Sequence, residues 1–124
     1  MTDIILKEES YKIIGACMEV HRELGFGFKE IIYKDALEIE FKTQAIPYLR
    51  EKSYKIEYKG KELPRKYYAD FVVFESIILE IKAMPLIINN FVLQTRNYLK
   101  ASGIRLGIIA NFGEKSFNSK RVVF

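Results

Sequence analysis

An α/β fold is the architecture this sequence predicts, and three patterns predict it. Two stretches near the start carry apolar residues at helical spacing. Two short apolar segments in the middle read as a β-hairpin. A further helical pattern then leads into a nearly unbroken apolar run, as expected of an interior strand reached by a helical crossover. With 124 residues, 49% hydrophobic content and 14% aromatics, residues 1–124 fit one domain with one core.

Ile13, Cys17, Val20 and Leu24 set the first stripe, widened by Ile14 and Met18, so a helix is expected over about 9–24, ended by Gly25 and Gly27. His21 lies at the border of that stripe, where a lone histidine is more often packed or solvated than catalytic. Tyr33, Leu37 and Phe41 predict a second helix over about 29–44. Glu30 stands one turn before Tyr33 on the same face, aimed at the interior or a cleft; a glutamate that merely favours the helix dipole is the alternative. After Ile46-Pro47 the composition turns to strand, with Tyr48 and Leu49, the alternation Tyr54, Ile56, Tyr58, and a turn at Lys59-Gly60-Lys61. Strands follow near 67–74 and 77–84. Pro85 is placed for a helix start; Phe91, Gln94, Thr95, Tyr98 and Leu99 share a helical face that Ser102-Gly103 closes. Ile104 to Ala110 is the interior strand, and Arg121 to Phe124 a short last one.

The single cysteine excludes an internal disulfide, and one histidine leaves no cluster for a structural zinc site. No apolar run approaches the roughly 18 residues of a membrane span, and the start lacks signal-peptide order, so a cytoplasmic protein is expected. Charge is uneven. Residues 1–48 hold six basic and nine acidic side chains, residues 49–124 fourteen and seven. Arg50, Lys52, Lys55, Lys59, Lys61, Arg65 and Lys66, interleaved with Tyr54 and Tyr58, would suit a phosphate backbone; a solvated hairpin with edge-protecting lysines explains them equally.

The chemistry concentrates in Asp70, Glu80 and Lys82, ionised residues set in segments otherwise composed for burial, where charge is costly unless paired or metal-bound. Glu80 and Lys82 share a strand face by alternation. For Asp70 to join them, even-numbered residues must pair with even ones across the hairpin. A two-residue loop at Glu75-Ser76 would separate the acids; because Glu-Ser lacks the glycine or asparagine of tight turns, a three-residue loop or a bulge is expected. Gln94 shares its face with Phe91 and Tyr98 and is expected to point at the sheet, its plain alternative being a buried amide satisfied by backbone.

The order helix, Asp70, hairpin, Glu80-x-Lys82, helix with Gln94 resembles the PD-(D/E)XK nuclease superfamily, and Gly27-Phe-Lys-Glu30-Ile-Ile-Tyr33 resembles the motif of the small GxxExxY family. Tyr68-Ala-Asp70, Asn97-Tyr98-Leu99-Lys100 and Asn111-Phe112-Gly113 extend the likeness over nearly the whole chain; the usual Pro-Asp dipeptide is here Ala69-Asp70. The resemblance implies a restriction-endonuclease-like core, a central mixed β-sheet flanked by α-helices. It implies that Asp70 and Glu80 bind Mg²⁺ or Mn²⁺, that Lys82 positions water or stabilises developing charge, and that Glu30 and Gln94 support the site. Glu30 is also a candidate ligand for a second metal, while Gly27, Tyr33 and Tyr98 belong to the supporting motifs. The expectation is a metal-dependent nuclease acting on DNA or RNA, with a homodimer left open. A nuclease-fold module that binds nucleic acid or a protein without cleaving is the rival.

Overall fold

A computed structural model describes residues 5–124. Two helices come first, α1 (Lys7–Leu24) and α2 (Glu30–Thr43). They are followed by β1 (Tyr48–Tyr54), a small hairpin of β2 (Glu57–Tyr58) and β3 (Lys61–Glu62), then β4 (Tyr67–Val73) and β5 (Ile77–Lys82). Helix α3 (Asn89–Ser102) crosses over to β6 (Leu106–Asn111), and β7 (Asn118–Val123) closes the chain. The main sheet has the order β1-β4-β5-β6-β7; β5 and β6 run parallel, joined by α3, and the other neighbours are antiparallel. The sheet is therefore mixed.

Helices cover both faces. Ile13, Cys17, Val20, Tyr33, Leu37 and Phe41 from α1 and α2 pack on Phe71, Val73, Leu79, Ile81, Ile108 and Ala110. On the other face Leu99 of α3 packs with Val72, Ile78, Ile109 and Val122. Strands β5 and β6 are buried on both sides, which is why they read as continuous apolar runs. Among the described residues no helix is long and apolar enough to cross a membrane.

One irregularity positions the site. In β4, Tyr67 and Ala69 belong to the α3 face, whereas Phe71 and Val73 belong to the α1/α2 face. Odd-numbered side chains thus change sides across Asp70. The partner strand reverses with it: Arg50 pairs with Phe71 and Lys52 with Ala69, and Glu51 between them adopts a left-handed backbone, φ 57°. Such a conformation is costly for a residue with a side chain and persists only where surrounding structure enforces it.

Several expectations shift. The third helix begins at Asn89 rather than Pro85, because Met84 is clasped by Asn111 and the chain must first pass from the end of β5 to the other face, seating Ile87 in the α3-side core. The strand expected to reach 84 ends at Lys82 for the same reason. The last strand starts earlier, at Asn118. Met18 is 54% exposed and lies outside the stripe of α1. His21 is packed: its Nε2 lies 2.9 Å from the Glu114 carbonyl, between Phe112 and Phe117.

Candidate functional site

Val73 pairs with Ile77 and Phe71 with Leu79, leaving a three-residue loop, Phe74 to Ser76. Phe74 and Glu75 both take left-handed conformations and Ser76 N–H closes the turn on the Val73 carbonyl, the backbone of a type I′ turn plus one residue. The even-to-even register follows. Where Asp70 would continue the ladder opposite Glu80, the carboxylates replace it: Asp70 N–H donates to Glu80 Oε2 at 3.0 Å, and Ile81 N–H donates to Asp70 Oδ2 at 2.8 Å. The two acids therefore meet in the seam between β4 and β5 rather than standing side by side on one face.

Glu80 is only 5% exposed. Its second donor is Tyr67, whose hydroxyl gives Oε2 a bond of 3.1 Å. Burial and then the nearby charge of Asp70 push the Glu80 carboxyl up to about 7, outweighing the Asp70 amide, the Tyr67 hydroxyl and the Lys82 charge, which act in the opposite sense. Burial and Glu80 in turn push the Tyr67 phenol up, so that it stays a donor. Tyr98 lies flat on Tyr67, ring centroids 3.7 Å apart, and Tyr54 stacks on the same ring at 5.9 Å. Tyr98 thus acts on Glu80 through Tyr67.

Lys82 leaves β5 on the α3 side. Its Nζ sits over the Phe91 ring at 4.8 Å and donates to Gln94 Oε1 at a long 3.4 Å. Gln94 is exposed, not directed into the sheet as its neighbours on the helix face suggested, because Thr95 and Leu99 supply the buried contacts of α3. Glu30, the first residue of α2, is also exposed; it lines an open depression with Gly27, Phe28 and Ala83, next to Lys82 in sequence but apart from the acid pair. Among the described residues no three His, Cys, Asp or Glu side chains gather as a metal site.

The remaining motif residues form a lock. Gly27 has φ 111°, a conformation that a side chain would strain. Tyr33, fully buried and stacked on Phe112 at 4.7 Å, donates to the Gly25 carbonyl at 2.7 Å and accepts from Phe28 N–H at 3.2 Å. Beyond Lys82, Asn111 accepts from Met84 N–H and Gly113 N–H and donates to the Met84 carbonyl. A Cβ on Gly113 would lie 2.5 Å from the Ala83 carbonyl carbon and closer still to the Met84 backbone.

Lys34, Glu51 and Tyr67 were not singled out from the sequence. Lys34, its side chain 11% exposed, reaches from α2 to Asp70 Oδ1 at 3.0 Å and to Glu51. Its signal was its place beside Tyr33 and three residues before Leu37, on the flank of the apolar stripe. Arg50, grouped with the basic residues that would suit phosphate, is instead engaged internally with Asp35 and Glu38, both at 2.8 Å.

The family model of the PD-(D/E)XK nuclease superfamily matches residues 7–122. The chain belongs to this superfamily. The crystal structure of SSO0001 aligns with a TM-score of 0.62 at 21% identity, over 76% of this chain and 50% of that one; the chain spans half the length of that protein. The fold is restriction-endonuclease-like. No curated protein matches the chain.

Two adjacent carboxylates, one of them with its pKa raised by burial and then by the charge of the other, suit a hard divalent cation. Mg²⁺ is typically held by one or two carboxylates, with water and substrate phosphate completing the shell, so the acid pair fits without a third protein acid.

Proposed function

We propose that this superfamily member is a Mg²⁺- or Mn²⁺-dependent nuclease that hydrolyses phosphodiester bonds of nucleic acid, and that Gly27, Glu30 and Tyr33 assign it to the GxxExxY group within the superfamily. The observation that carries this reading is the seam between β4 and β5, where Asp70 and Glu80 meet beside Lys82. Asp70 and Glu80 would hold the cation, which supplies Lewis-acid stabilisation of charge on the phosphoryl group. Tyr67 and Tyr98 fix the Glu80 carboxylate. Lys82, placed over Phe91 and in reach of Gln94, presents an ammonium that orients the attacking water and counters charge developing in the transition state. Glu30, which shares a depression with Ala83 just beyond Lys82 and does not join the acid pair, would support the site only through water.

The test is cleavage of DNA and RNA substrates by purified protein with Mg²⁺ or Mn²⁺. EDTA should stop it, and Glu80→Ala and Lys82→Ala should each lower the rate by on the order of a hundredfold or more. Undiminished cleavage by Glu80→Ala would place the activity elsewhere.

A further inference from the structure

An open groove of about 730 Å³ runs between the end of β1 and helix α3, lined by Lys52, Tyr54, Lys55, Asn97 and Lys100, with Glu57 the only acid in its wall among the described residues. Two features connect it to the acid pair. Tyr54 stacks on Tyr67, whose hydroxyl holds Glu80, so one groove wall is a ring away from the carboxylate. Along α3, Asn97 lies three residues beyond Gln94, the contact of Lys82, and Lys100 six; at 1.5 Å per residue the groove extends about 9 Å from the Lys82 end.

Charge in the groove is largely available. Lys55 faces Glu62 at 3.6 Å, but among the described residues Lys52 and Lys100 form no ion pair, and both are exposed. Lys52 lies 5.6 Å from the centroid of the Tyr54 ring. Most of the other basic residues of the 50–66 stretch lie outside this groove, and Arg50 is neutralised by two acids.

Resting on the nuclease reading, we propose that this groove is the track along which the phosphodiester backbone of a nucleic-acid strand is held, with Lys52 and Lys100 on its phosphates and Asn97 a neutral donor between them and the site. A regularly charged backbone satisfies ammonium groups spaced along one groove and, following α3, arrives at Lys82 and Glu80. The lysines bind substrate; they do not take part in bond cleavage.

The test measures binding of fluorescein-labelled single-stranded and duplex oligonucleotides in EDTA, by anisotropy across a salt series. Lys52→Glu combined with Lys100→Glu should weaken whichever form the wild type binds by on the order of tenfold or more and reduce the slope of log affinity against log salt by about 1.5. Lys12→Glu combined with Lys42→Glu changes net charge equally but alters exposed positions on α1 and α2, across the sheet, and should leave binding close to wild type. Equal losses in both double variants, no loss in the groove variant, or no binding by the wild type would overturn the groove. Groove-dependent binding without cleavage under any divalent metal would remove the nuclease reading and leave the track standing. Metal-dependent cleavage with an unchanged KM in the groove variant would do the reverse.

Discussion

Glu80→Gln should make the protein more stable above neutrality and change little in acid. In the folded chain the Glu80 carboxyl titrates at about 7, against 4.5 when unperturbed. Its folded pKa is raised, so the native state holds the proton over a range in which the unfolded chain has released it. Stability therefore falls as pH rises from 4.5 to 7 and stays lowered above 7. For a side chain this deeply buried the difference corresponds to about 3 kcal/mol. Glutamine keeps an acceptor for the Tyr67 hydroxyl and the Asp70 amide without the charge. Urea unfolding should give the variant nearly wild-type stability near pH 4.5 and a gain approaching about 3 kcal/mol at about pH 8, on the order of 10 °C in Tm for a domain of this size. The same variant should lose cleavage. A gain of equal size at both pH values, or none at the higher one, would refute the account of Glu80 as a carboxylate held at a cost.

Three further outcomes follow from the site's supports. Lys34→Met should lower stability by about 1–3 kcal/mol in denaturant unfolding, since it removes the counter-charge of Asp70 and Glu51 from a position 11% exposed. Gly113→Ala should be destabilising by about 3 kcal/mol or more by the same measurement, because its Cβ would meet backbone rather than a movable side chain. Tyr33→Phe, which leaves the Gly25 carbonyl and the Phe28 amide without their partner, should cost about 1–2 kcal/mol and accelerate hydrogen exchange at Phe28.

Much of this arrangement was legible in residue patterns. The three-residue length of the loop could be read from Glu75-Ser76, although Phe74 and Glu75 take left-handed conformations without being glycine or asparagine, and the crossover to β6 could be read because a strand buried on both faces has to be apolar throughout. The face reversal at Glu51 and Asp70 could not. It depends on two strands yielding together, and Glu51, which takes the left-handed conformation, is not a residue type that marks one. Alternation continued through Asp70 predicts a shared face, whereas the acids meet in a seam. Gln94 shows the limit of a helical stripe as evidence of burial: residues one position apart at its edge, Gln94 and Thr95, end on opposite sides of the boundary with solvent. Lys34 escaped notice because a lysine flanking an apolar stripe normally extends to water, and only the fold supplies the two carboxylates that draw it inward.

The lock made by Gly27 and Tyr33 separates recognition from competence. Its bonds run between Tyr33 and the backbone at Gly25 and Phe28, and its stacking partner is Phe112; none of these is Asp70, Glu80 or Lys82. A descendant of this chain could lose either acid and still close the same loop, keeping its most recognisable signature while losing the acid pair proposed to bind a cation. The motif therefore reports on how the loop between α1 and α2 is closed, and the seam between β4 and β5 is where the proposed chemistry has to be read.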